Sequence, residues 1–276
     1  MTPPSALDRA RGDRRTWFGL AVIVVLVISA IAAPILGRYD PSAIDLQHVL
    51  ERPSGQHWFG TDAQGRDVWS RLLHGTRVSL LVGVASQGLS LVIGVTLGLT
   101  AGYRGKWTDE IIMRLADVTL AFPSLLLLIA MAAAFEPSLT VVCLVIGFVG
   151  WAGMARLVRG QVLVVRELEY VQAMRAIGAR DTRIVWRHVL PNVFGPVVIA
   201  ATLGIAGAIM AEAALSFLGL GVQPPTPSWG AMIADGRDLS QLRGAPWTSL
   251  APGLAIGAAV LAFNLVGDAL RDAQSG

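Results

Sequence analysis

The stretch Tyr170-Val171-Gln172-Ala173-Met174-Arg175-Ala176-Ile177-Gly178, followed by Val189-Leu190-Pro191-Asn192, lies in an arginine-rich segment (residues 159–192) set between two long apolar runs. Its first half reads as a short helix with small residues on one face. Gly178 is placed to end that helix, because glycine enters the left-handed conformation of a C-terminal cap without steric cost. Asp181 or Thr182 then caps a second helix, and Pro191 stops or kinks it. Two helices about a glycine break, on one face of a membrane protein, make a docking element rather than a solvated tether.

Composition places the rest of the chain in a bilayer. Hydrophobic residues make up 54% and charged residues 15%, with mean hydropathy +0.59. Soluble domains carry roughly 25% charged residues, so this chain cannot cover a globular surface in the usual way. Its 30 glycines suit closely packed membrane helices. The isoelectric point near 9.6 does not indicate nucleic acid: all basic residues but Lys106 are arginine, and most flank apolar runs. Cys143, the single cysteine, lies inside an apolar run and forms no intramolecular disulfide.

Six runs approach the roughly 20 helical residues that a span needs. They are Trp17–Leu36, Val78–Ala101, Leu115–Phe135, Leu139–Val158, Val193–Leu220 and Leu250–Val266. Glu136-Pro137-Ser138 is a tight turn between the third and fourth, and Pro123 is tolerated inside the third. The predicted fold is an all-α integral membrane protein with six transmembrane helices and an external segment between the first two. Fifteen basic residues fall on the side of the termini and the docking segment, against seven on the other. The positive-inside rule makes that side cytoplasmic. The first run also has features of a cleavable signal, with Arg14-Arg15 before it and Ala30-Ile31-Ala32 near its end; its length favours an anchor.

The external stretch holds His57-Trp58-Phe59-Gly60-Thr61-Asp62-Ala63-Gln64-Gly65-Arg66-Asp67. Its glycines permit tight turns, and Asp62, Arg66 and Asp67 pair charges locally. His57, Asp62 and Asp67 have the chemistry of metal ligands, but a helix-start turn is the simpler reading. Val68, Trp69, Leu72 and Leu73 then form one side of an amphipathic helix suited to the membrane surface. Glu212 is the acid deepest in an apolar run; it marks a pathway or is a buried structural glutamate. Asp117, one turn from Arg114, reads as a local ion pair.

The segment 159–192 resembles the "EAA" loop of permease subunits of bacterial ABC importers. Ala173, Gly178, Leu190 and Pro191 match the family's spacing of A, G and LP, whereas Gln172 replaces Glu, Met174 replaces Ala and His188 replaces Ile. Gly60-Thr61-Asp62 and Gly65-Arg66-Asp67 resemble the GTDxxGRD signature of the dipeptide, oligopeptide and nickel branch. The block from Glu212 to Gly221, the prolines Pro224, Pro225 and Pro227, and residues 264–271 resemble its C-type permease. This resemblance implies a type I permease fold: residues 1–16 a tail, 17–75 an anchor helix and external segment, 76–272 the permease domain with its coupling loop at 159–192. It implies a cell-membrane subunit that moves peptides or chelated nickel. The partners would be a homologous B-type permease, two ATPase subunits or one fused ATPase, and an external substrate-binding protein. ATP and Mg would be bound by the ATPases, with no cofactor in this chain.

An enzyme is the rival class. Neither H-E-x-x-H nor G-x-S-x-G occurs. His48, His57, His74 and His188 lie outside the apolar runs. A P-loop is excluded, since Trp107 follows Lys106 and Thr100 occupies the first glycine position. A passive channel would give no reason for the docking segment.

Overall fold

The computed structural model describes residues 14–275, and every regular element among them is helical. In order these are α1 (Arg14–Leu36), α2 (Val68–Arg104), α3 (Lys106–Ala121), α4 (Ser124–Ala133), α5 (Leu139–Val165), α6 (Glu169–Ala176), α7 (Asp181–Ile184), a π-helical turn (Val185–Val189), α8 (Leu190–Phe217), α9 (Trp229–Asp235), α10 (Leu239–Gly244) and α11 (Trp247–Ser275). Five helical runs are long and apolar enough to cross a membrane, and the bent pair α3–α4 raises the number to six if counted as one span. Arg9, Arg11 and most of the tail at residues 1–16 lie outside the described residues.

The third expected span is not a continuous helix. α3 and α4 meet at 91°. Pro123 lacks an amide hydrogen and drives Phe122 into extended backbone, with φ −87° and ψ 141°. α4 has 10 residues and covers about 15 Å, half of a hydrocarbon core. The helix expected on the membrane surface is likewise corrected. Val68 to Leu73 form the first turns of α2, where Val68, Leu73 and Arg71 are buried. Arg71 goes under because two carboxylates meet its guanidinium.

The centre of the molecule is a seam between α2 and α5. Gly94, Gly98 and Gly102 recur every fourth residue and let the two backbones approach. A Cβ on Gly98 would sit 2.6 Å from the Ala155 carbonyl oxygen and 2.7 Å from Val158 Cβ. The apolar cluster behind this seam continues from Val158 and Val162 into Val171, Ile184 and Val189, so the 159–192 segment is fastened to the core. At the same end, Arg159 grips Asp109 of α3 with two bonds of 2.5 and 2.7 Å. Asp117 pairs with Arg156 of α5 at 2.6 Å, not with Arg114. Arg114 instead lies 3.9 Å from Glu110.

Candidate functional site: a polar loop and a membrane cavity

The predicted helix, glycine break and second helix are present in the loop. α6 buries Val171, half-buries Met174 and exposes Gln172, Ala173, Ala176 and Ile177. Gly178 has φ +79°. Its amide donates to the Arg175 carbonyl and that of Ala179 to the Met174 carbonyl, both at 3.0 Å, closing a Schellman motif. The second helix differs from expectation in two ways. Arg180 is its N-cap residue, and the Asp181 carboxylate accepts from the Tyr103 hydroxyl of α2 at 2.7 Å. Pro191 does not stop the chain. It falls in the first turn of α8, directly after the π-turn in which Leu190 N–H bonds the Val185 carbonyl. That register shift precedes the position where a donor is missing, so the run Asp181–Phe217 passes through as one 37-residue span. Leu190 is half-buried and Pro191 exposed, while the half-buried His188 ring lies 6.3 Å from that of Tyr170. Gln172 donates to Glu167 Oε2 at 3.1 Å, and Arg166 Nε holds the other oxygen at 3.0 Å. The acid missing from position 172 thus has a neighbour at 167.

A cavity of about 440 Å³ opens among α2, α4, α5 and α8. Ser86, Gln87, Ser90 and Ser124 supply its polar groups, and Gly150 and Gly204 supply bare backbone. No charged side chain lines it. Gln87 lies over Gly204, where a Cβ would meet Gln87 Oε1 at 2.2 Å. Hydroxyl and amide groups on a neutral wall hydrogen-bond a polar solute without selecting its charge. The signal for these residues is a Ser-Gln pair with a further Ser one turn on, inside an otherwise apolar run.

Glu212 lies outside that lining. It is fully buried, accepting from Ser79 of α2 at 3.2 Å and from Ser216 at 2.7 Å. Ser79 Oγ in turn accepts the Trp229 amide at 3.2 Å, so α2, α8 and α9 meet at one carboxyl group.

The 60–67 signature is a folded knot. Gly65 has φ +73°, and a Cβ there would lie 1.7 Å from the Asp45 carbonyl oxygen. Gly60, also at positive φ, packs beside Glu51 and Trp247. Thr61 Oγ1 donates to the His48 carbonyl at 2.5 Å and accepts from Glu51 N at 2.8 Å. Asp67 caps α2 through Ser70 N at 2.8 Å and holds His57 Nδ1 at 2.9 Å. Asp62 takes Arg66 Nε at 2.7 Å and Arg71. The three residues with metal-ligand chemistry therefore divide between a helix cap and an arginine pair.

In the same segment, the hydrogen bond that His48 donates to the Asp45 carboxylate raises the pKa of His48, and the Asp45 carboxyl is lowered by that contact. A raised histidine stabilises the fold below its unfolded pKa of about 6.5 and loses that contribution as pH rises through the folded value. Asp45→Asn should return the His48 midpoint toward about 6.5. Histidine-selective NMR, with the signal assigned by His48→Gln, measures it; an unmoved midpoint would exclude Asp45 as the cause.

Helices long and apolar enough to span a membrane, a loop with an exposed face and an uncharged cavity among the helices are the parts of an integral-membrane transport permease, and similarity to known proteins places the chain in that class. The chain belongs to the family of binding-protein-dependent transport system inner membrane components, whose match covers residues 94–275. Residues 5–53 match the N-terminal transmembrane domain of oligopeptide transport permease C. The chain is 46% identical to the dipeptide transport system permease protein DppC of Alkalihalophilus pseudofirmus, over 97% of this chain and 88% of that one. It is 43% identical to the oligopeptide transport system permease protein OppC of Bacillus subtilis, over 97% and 87%. Identity to the glutathione transport system permease protein GsiD of Pectobacterium atrosepticum is 44%, over 92% and 84%. Among solved structures, the inward-facing MetNI methionine ABC transporter matches with TM-score 0.56 at 19% identity, over 74% of this chain and 95% of that one, which establishes a shared fold.

Proposed function

We propose that this chain is the C-type permease subunit of a peptide importer in the cytoplasmic membrane, lining half of the path. The single observation that carries this reading is the α6 loop, whose Ala173, Ala176 and Ile177 face is exposed while its other side is continuous with the membrane core. A partner ATPase seated on that face, holding ATP and Mg, moves α8 and so the wall of the 440 Å³ cavity. The coupling positions are Gln172, Ala173, Met174, Gly178, His188, Leu190 and Pro191. A B-type permease supplies the other half of the path, and a binding protein delivers peptide to the outer face near residues 60–67. Both termini and the 159–192 loop are cytoplasmic, with residues 76–272 forming the permease domain. Peptide cargo is supported by the dipeptide, oligopeptide and glutathione names of the relatives.

Topology tests the arrangement. In a Cys143→Ser background, Arg180→Cys should resist a membrane-impermeant thiol reagent in intact cells, whereas Gln223→Cys should label. The reverse pattern would put the loop outside and remove the ATPase contact. Loss of labelled dipeptide uptake on deletion of this chain, restored by the intact gene, tests the cargo.

A further inference from the structure

A second pocket, of about 250 Å³, lies at the outer end of α8 between the proline loop and α9. Arg66, Arg71 and Arg237 line it, against the single carboxylate of Asp235. The two buried arginines hold their acids in unequal ways. Asp62 is 9% exposed and is fixed from four directions, by the amides of Gln64 and Arg66 and by both guanidiniums. Asp235 is 42% exposed, and its bonds from Arg66 (2.8 Å) and Arg71 (2.9 Å) converge on one oxygen at the end of α9. Arg71 Nε is also buried with no acceptor. The arginine pair therefore has one fixed acid and one replaceable acid.

Resting on the peptide-import reading, we propose that this pocket receives the terminal carboxylate of a peptide, which takes the place of Asp235 on Arg66 and Arg71. Guanidinium forks favour carboxylates, and exchanging one carboxylate for another conserves the charge-assisted bonds, so the step is weak and reversible. Arg237, held at the rim by the Phe217 carbonyl at 3.2 Å, adds the positive charge that favours an incoming anion. Phe217, Val222 and Pro225 give the pocket an apolar wall that the side chain of a terminal residue would cover. Guanidiniums and apolar wall in one pocket of about 250 Å³ suit a carboxylate whose neighbouring carbon bears a side chain, which is the form of a peptide's terminal residue.

The test uses the assembled transporter in nanodiscs without binding protein, with an environment-sensitive fluorophore on Thr226→Cys in the Cys143→Ser chain. Titration with Ala-Ala should give a saturable change that Ala-Ala amide does not. Asp235→Asn removes the internal competitor and should lower the half-saturating Ala-Ala concentration by about threefold or more, the scale of a partly exposed ion pair. Arg237→Gln, which leaves the buried pairs intact, should raise it severalfold. Equal responses to the two probes, or an unchanged midpoint in Asp235→Asn, would overturn the assignment. So would a response to empty binding protein with none to Ala-Ala, since the occupant would then be a protein acid. Saturable binding in nanodiscs, with no Ala-Ala uptake by cells that carry the whole importer and its binding protein, would uphold the site and overturn the import reading; uptake by those cells with no fluorescence response in nanodiscs would do the reverse.

Discussion

On the proposed coupling, Gly178→Val should lower peptide uptake and substrate-stimulated ATP hydrolysis by more than tenfold while the protein remains inserted and paired with the proposed sister permease. The cause is conformational, because a Cβ at Gly178 meets nothing within 4 Å while φ stands at +79°. An L-residue in that region costs about 1–2 kcal/mol, and a β-branched one more. Relief of that strain breaks the two bonds that close α6 and swings the Ala173 face away from its partner. About 2 kcal/mol corresponds to a roughly 30-fold shift between docked and undocked loops, so uptake should fall by more than tenfold. Gly178→Asn separates strain from side-chain size, since asparagine tolerates the left-handed region, and it should keep most of the activity. Arg180→Ala, just beyond the break, should do much less than valine at 178. Full transport by Gly178→Val, with normal copurification of the ATPase, would show that this loop is not the coupling element.

The second large effect is expected at Gly98. Valine there should reduce the protein in the membrane to a small fraction of the wild-type level. The added carbons would meet the Ala155 carbonyl oxygen, a backbone atom with no rotamer to escape into, and Val158 Cβ. Overpacking costs about 1–3 kcal/mol when side chains can adjust, and more when backbone must move. Gly88→Val is the control on the same helix, because its Cβ meets nothing within 4 Å. Immunoblots of membranes and fluorescence size-exclusion of the solubilised complex measure both. Equal abundance of the two variants would show that the α2–α5 seam tolerates separation.

Local relations were legible in the sequence, and distant ones were not. Apolar runs marked the spans, and Gly178 marked the loop's break, because each property belongs to a few consecutive residues. Asp62 with Arg66 was readable for the same reason, being four residues apart. Asp235 was not, since 169 residues separate it from Arg66 and only the fold joins them. Asp117 misled because its nearest arginine in sequence is not its nearest in space. The prolines show the limit of residue identity: Pro123 turns the chain by 91°, whereas Pro191 follows a π-turn inside a continuous span. The Gly94, Gly98, Gly102 spacing is visible in the sequence as a bare helix face, but only the fold shows that α5 is what packs on it.

The uninterrupted run Asp181–Phe217 has a mechanical meaning. Its 37 residues make a rod of about 55 Å, with the loop at one end and the Glu212 junction near the other. A rigid rod that tilts about its middle moves its two ends in opposite directions by equal arcs. Ten degrees of tilt carries each end of such a rod through roughly 5 Å, about one helical turn. On the proposed coupling, force applied at the loop would reach the opposite end of the span with reversed sense, without a relay of intermediate contacts. Opening at one end of the path and closing at the other would then be a single movement of one lever.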